Sequence, residues 1–273
     1  MISFVLSLLA LLVGYMVYGR FVERTLKPTE ETTPAVRMSD GVDFVALPSW
    51  KVFMIQFLNI AGTGPIFGAI MGAWYGPYAY LWIVLGCIFA GAVHDYLVGM
   101  MSVRHNGEGL PQLVGRYMGS SARTFLLCFC LLVLMMVGVV FVYSPALILG
   151  SMVGNSLTWV LIIFSYYILA TLLPIDKIIA RIYPLFAFSL IFMALALMVV
   201  LFLTQPVLPE LWSDMTQINL NEQPSWLGVE TFREKNPIFP CMFITIACGA
   251  ISGFHATQSP LMARCMSSER QGR

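Results

Sequence analysis

The sequence predicts an all-α polytopic membrane helix bundle, a single membrane domain spanning residues 1–273. Apolar residues make up 59% of the chain and charged ones only 11%, against roughly a quarter charged in soluble domains. Seven apolar segments are each long enough to cross a hydrocarbon core of about 30 Å, which takes about 20 helical residues. The strict alternation of a membrane β-barrel is absent, so the segments are helices. A net charge of +1 creates no global field for nucleic acid.

Residues 2–19 form the first segment. No Lys or Arg precedes it and no small-x-small cleavage site follows, so it reads as a retained leading helix rather than a signal peptide. The second covers 52–73, the third 78–101 and the fourth 124–150, whose excess length tilt or a kink at Ser144-Pro145 would absorb. The fifth is 157–174, the sixth 183–204 and, after the polar stretch 205–237, the seventh is 238–262. Cys87, Cys128, Cys130 and Cys248 lie inside these runs, and Cys241 and Cys265 near their ends. They read as small buried hydrophobes, not as a disulfide framework.

Basic residues set the orientation. Arg20, Arg24, Lys27, Arg37 and Lys51 fall in the first connection, Arg104, Arg116 and Arg123 in the third, Lys177 and Arg181 in the fifth. Arg264, Arg270 and Arg273 follow the last segment, so thirteen of the 15 basic residues share one side. The N-terminus is therefore expected outside and the C-terminus in the cytoplasm, with 205–237 an acidic external loop. Trp74, Tyr75, Tyr78, Tyr80 and Trp82 are expected to form an aromatic belt at the outer interface.

Two segments carry residues that interrupt a helix. At the centre of 52–73 stands Gly62-Thr63-Gly64-Pro65. Pro65 has no N–H and its ring disturbs the carbonyl of Ala61. In hydrocarbon an unpaired carbonyl costs several kcal/mol, so the break must face protein or a wet cavity. Gly64, Gly68 and Gly72 are also a GxxxGxxxG packing face, and Asn59, Ala61, Gly62, Thr63, Gly64 and Pro65 are the candidates for a substrate or ion site. The second interruption is Gly249, Ser252, Gly253, His255, Thr257 and Gln258, ahead of Ser259-Pro260. A helix end would also explain the Ser-Pro pair, yet Gly249, Ser252 and Gly253 sit near the segment's midpoint. Four segments expected to be uninterrupted separate the two breaks, so the broken helices run in opposite directions. That is the pattern of a LeuT-like transporter fold, a 5+5 inverted repeat, here only partly present. On this count 2–19 is an extra leading helix, 52–204 the first repeat and 238–262 the first helix of the second.

Three motifs carry a family resemblance. Ala46–Phe53 (ALPSWKVF) leads into Gln56–Gly68 (QFLNIAGTGPIFG); Gly86–Tyr96 reads GCIFAGAVHDY, and Ser252–Arg264 reads SGFHATQSPLMAR. Together they resemble the carbon starvation protein A (CstA) family over the whole chain. The resemblance implies an inner-membrane transporter used under carbon starvation, with peptides or pyruvate-like carboxylates as substrates and coupling to protons; the sequence itself leaves H+ and Na+ both open as the driving ion and calls for no cofactor. Family members continue well past residue 273. The chain is thus expected to hold one repeat and the first helix of the other, to need the C-terminal half as a partner, and not to transport alone.

His94 and Asp95 are the ionisable pair inside an apolar segment and the candidates for proton coupling; an interfacial hydrogen-bonded pair is the plainer reading. His255 could equally bridge helices. His105, in a loop, is expected to be solvated, as are Asp176 and Lys177. Two other function classes fit parts of the pattern. A seven-helix sensor of starvation signals fits the segment count, but no mid-helix Lys is present to carry retinal and no output module is attached. Histidine-ligated haem would need His94 and His255 to oppose one another. With no GxSxG, HExxH or Walker motif, no enzyme or metal site is indicated.

Overall fold

A computed structural model describes residues 1–41, 43–73, 75–172, 176–208, 210–212, 237–250 and 253–273. Ser252 and most of the 205–237 stretch lie outside the described residues, as does Trp74.

Helix α1 (Ile2–Leu26) ends at Lys27, whose φ of 47° is the left-handed cap conformation. At its start the carboxylate of Glu210 accepts from the N–H groups of Ile2 at 2.8 Å and Ser3 at 2.7 Å, and Leu211 N–H donates to Ser3 Oγ at 3.0 Å. These bonds satisfy donors that a helix end leaves without partners, and they tie α1 to the segment after the sixth span. A short α2 (Pro34–Arg37) lies in the first connection. The first broken segment is α3 (Ser49–Ile60) and α4 (Thr63–Ala73), which meet at 55°. Ala61 leaves the helix at φ −77°, ψ 42°.

The third segment is uninterrupted, as expected, but carries a π turn that the sequence did not show. It is α5 (Tyr78–Leu85), a π-helical turn Gly86–Gly91 and α6 (Ala92–Arg104), a continuous span of 27 residues. A π turn adds one residue to the helix and rotates the face presented beyond it. Amphipathic α7 (Leu110–Met118) follows, then α8 (Ser120–Met152), 33 residues with Pro145 inside. At 1.5 Å per residue α8 measures about 50 Å, well beyond a hydrocarbon core. Helices α9 (Ser156–Leu172) and α10 (Asp176–Thr204) complete this half. The second broken segment opens with a π turn at Ile238–Met242 and continues as α11 (Phe243–Ala250) and α12 (Gly253–Ala263). A 3₁₀ turn at Glu269–Gly272 closes the described chain.

Among the described residues four helices are long and apolar enough to span: α1, Tyr78–Arg104, α8 and Pro184–Thr204. The bent α3–α4 pair makes a fifth, while Ser156–Thr171 and Ile238–Gly249 are shorter apolar helices. Each expected segment thus has a helical counterpart.

Glycine decides how the broken segments meet. A Cβ on Gly68 would lie 2.5 Å from the Thr245 carbonyl oxygen, one on Gly64 3.3 Å from Cys248 Sγ, and one on Gly72 3.2 Å from Ile246 Cγ1. The Gly64-Gly68-Gly72 stripe is therefore the seat of α11, as small-residue faces allow in lipid. Two apolar clusters close opposite ends of this crossing. Tyr75, Ala79, Met242 and Ile246 pack at one, Val52, Val103, Met262, Ala263 and Met266 at the other. Tyr75 is only 2% exposed, and Trp82 donates its Nε1–H to the Phe243 carbonyl at 3.2 Å. Both rings pack against the start of α11.

Candidate functional site

The 55° bend brings the end of α3 and the start of α4 against the second broken segment. A Cβ on Gly249 would meet Pro65 Cα at 3.4 Å, so the glycine before one break touches the proline of the other. Gly62 lies beside Phe141 of α8, whose ring carbon a Cβ there would meet at 3.4 Å. Asn59, Ala61, Gly64 and Pro65 are all half-buried around this point. Thr63 begins α4 and Gly253 begins α12, which also carries His255 in its first turn. Thr257 and Gln258 are half-buried farther along α12. The side chains of Thr63 and His255 lie outside the described residues, as does all of Ser252.

One chain of hydrogen bonds joins three helices. Gln56 of α3 donates Nε2–H to Ser259 Oγ of α12 at 2.9 Å. Ser259 donates in turn to Asp95 Oδ1 of α6 at 3.2 Å, and His94 Nδ1 lies 3.2 Å from that same oxygen. Ser259 is 4% exposed. Buried polar groups persist where they are paired, and here the pairing connects both broken segments to Asp95, a carboxylate within the apolar Tyr78–Arg104 span. The π turn ahead of α6 sets the face on which Asp95 projects. Nearby, Ser102 of α6 donates to the Pro260 carbonyl at 3.0 Å.

Sequence reasoning singled out His94 and Asp95 but missed Gln56 and Ser259 as site residues. Gln56 stands in an apolar run one turn before Asn59, which is a readable signal. Ser259 was absorbed into a helix-ending Ser-Pro pair, although α12 continues through Pro260 to Ala263.

Gln56, Asp95 and Ser259 also line a cavity of about 560 Å³ between α1, α3, α6 and α12. Tyr15, Tyr18 and Gly19 of α1 form the facing wall. The leading helix thus belongs to the site's surroundings. The hydroxyl of Tyr96, on the same side of α6, is buried and has no hydrogen-bond partner among the described residues.

Beyond the cavity, toward the ends of α6 and α12, polar contacts are dense. Arg104 donates Nε–H to Glu269 Oε1 at 3.1 Å and Nη2–H to Oε2 at 3.0 Å. Its Nη2 also reaches the carbonyls of Leu26 at 2.9 Å and Lys27 at 3.0 Å, the open end of α1. Glu269 accepts from Thr29 N–H at 2.7 Å and is only 3% exposed. Burial pushes the Glu269 carboxyl up, but hydrogen bonds from Arg104 and Thr29 outweigh it and hold it below its ordinary 4.5. Thr33 Oγ1 donates to the Met266 carbonyl at 2.6 Å, Leu47 N–H to that of Cys265 at 3.0 Å, and Arg264 pairs with Asp43 at 3.0 Å. His105 is held in this layer rather than freely solvated, with Nδ1 2.8 Å from the Met101 carbonyl and Nε2 3.1 Å from Tyr117 Oη.

A family model described as "Carbon starvation protein CstA" matches residues 1–151 and 142–271. An uncharacterized membrane protein of Haemophilus influenzae is 43% identical, the match covering 100% of this chain and 85% of the relative. The "Peptide transporter CstA" of Escherichia coli is 28% identical over 92% of this chain and 44% of its own length. The "Pyruvate/proton symporter BtsT" of Escherichia coli is 28% identical over 92% of this chain and 43% of its own. The chain therefore spans less than half the length of these two relatives. No solved structure matches. With its helical, apolar build and this match along nearly all of its length, the chain is a multi-pass membrane protein of the carbon starvation protein CstA family, a family of transporters and not of enzymes.

Proposed function

We propose that this chain forms the first part of a proton-coupled secondary transporter in the bacterial inner membrane, taking up peptides or pyruvate-like carboxylates. One observation carries the reading. The Gln56–Ser259–Asp95–His94 chain links both broken segments to a single ionisable pair. A proton arriving at Asp95 removes the charge that Ser259 donates to. That weakens the tie between α6 and α12 and, through Gln56, the tie to α3. Binding of substrate at the adjoining breaks, where half-helix ends and the Ala61 carbonyl are available, would bias the same contacts. Two ligands acting on one set of contacts is the requirement for coupling.

The names of the Escherichia coli relatives supply both substrate classes, and the basic first, third and fifth connections favour a cytoplasmic placement of the Arg104–Glu269 layer. Both relatives are more than twice as long as the matched stretch, so we infer that alternating access needs the second repeat.

The test is uptake by the complete transporter, this chain joined to its second half, in proteoliposomes carrying a pH gradient. Asp95→Asn is expected to abolish acceleration by the gradient while leaving substrate exchange. Gradient-driven uptake unchanged by Asp95→Asn would overturn the assignment.

A further inference from the structure

The two broken segments pack reciprocally. α4 lies on α11 and α3 lies on α12. Exchanging the segments turns each of these pairings into the other, which is what two inverted repeats require. The helix after the first broken segment extends the pattern: α5 packs on α11 and α6 on α12. The same exchange demands a helix after the second broken segment that runs along α3 and then α4.

The α3 half of the position demanded coincides with the cavity beside α1. Its α3 wall is Val52, Phe53, Gln56 and Ile60, one face of a helix by their spacing. Phe53 is 61% exposed and Ile60 37%, and on α4 Ile66 and Ile70 are also exposed, at 46% and 53%. At the cavity's mouth lies the segment that follows α12. A Cβ on Gly272 would be 3.2 Å from the Tyr96 ring, and the Arg273 guanidinium sits over the Tyr15 ring at 5.1 Å. A chain continuing from there enters the groove directly.

We propose that the groove between α1 and α3 seats the transmembrane helix that, in the longer relatives, follows the second broken segment. The proposal rests on the inverted-repeat reading given above. Its occupant is an apolar helix with small residues toward Gly19, where an added Cβ would meet nothing closer than Tyr15 at 3.7 Å. Helix α1 then serves as the outer wall of that seat, which gives the leading helix a part in assembly.

Native Cys87 lines the groove and serves as the reporter. The other five cysteines are replaced by alanine, and the chain is compared alone and as a chimera extended after Arg273 with the portion of the Escherichia coli peptide transporter beyond the match. Labelling of Cys87 by a lipid-soluble maleimide is expected to slow about tenfold or more in the chimera, as at a site that opens only transiently. Phe53→Cys is expected to cross-link to cysteines spaced three or four residues apart on the first appended helix. If the chimera does not fold, cysteines introduced at the matching positions of the intact Escherichia coli transporter carry the cross-linking arm of the test. Equal labelling in both forms without cross-links would overturn the proposal, as would cross-links from Phe53→Cys between two copies of the chain alone. Missing cross-links together with an Asp95→Asn transporter that is still uncoupled would discard the seat and leave the transport reading standing.

Discussion

Ser259 holds the site together at the scale of single residues, because it accepts from Gln56 and donates to Asp95 at once. Ser259→Ala leaves two polar groups without that partner at a buried position. Such a loss costs about 1–3 kcal/mol for each group stranded, so thermal unfolding in detergent is expected to come at a lower temperature. Proton coupling should weaken with it, while Ser259→Thr, which keeps the hydroxyl, should recover most of both. An unchanged melting point in Ser259→Ala would mean that the hydroxyl carries nothing. The Glu269 carboxyl gives a pH-dependent counterpart. Its folded value is depressed, so its pairing with Arg104 contributes fully at neutral pH and is lost only as pH falls through that lowered value, below the ordinary 4.5. Melting temperature measured across this acid range should fall more steeply for the native chain than for Glu269→Gln.

At the scale of elements, the broken helices were legible and their partners were not. Gly62-Thr63-Gly64-Pro65 announces a break because Pro65 lacks an N–H, and the structure places a 55° bend there. The glycine stripe announced close packing, but not that α11 is what packs on it. That fact depends on folding two distant segments together, which no local pattern encodes. The π turn at Gly86–Gly91 went unread for a related reason: a single inserted residue leaves hydropathy unchanged and shows only in the hydrogen-bond register. Gln56 and Ser259 are legible as polar residues in apolar runs, yet their pairing is a consequence of the crossing. Gly68 measures how tight that crossing is. Even a methyl group would lie 2.5 Å from the Thr245 carbonyl oxygen, and overpacking of this kind costs about 1–3 kcal/mol. Gly68→Ala should lower the melting temperature, whereas Gly138→Ala, where an added Cβ meets nothing within 4 Å, should leave it unchanged or raise it slightly.

At the scale of the whole molecule, composition and segment length identified a membrane bundle, and the charge distribution favoured one orientation. The proposed transport depends on the two broken segments meeting at their breaks and on one ionisable pair bonded to both. Gly64→Cys probes that meeting directly, because its Cβ would stand 3.3 Å from the sulfur of native Cys248, within disulfide reach. In a chain whose other cysteines are replaced, mild oxidation in native membranes is expected to join Cys248 to the cysteine introduced by Gly64→Cys rapidly and nearly completely, and Gly41→Cys should give no such bond. Failure of the Gly64→Cys chain to form this bond under oxidation would contradict the crossing, and with it the shared site.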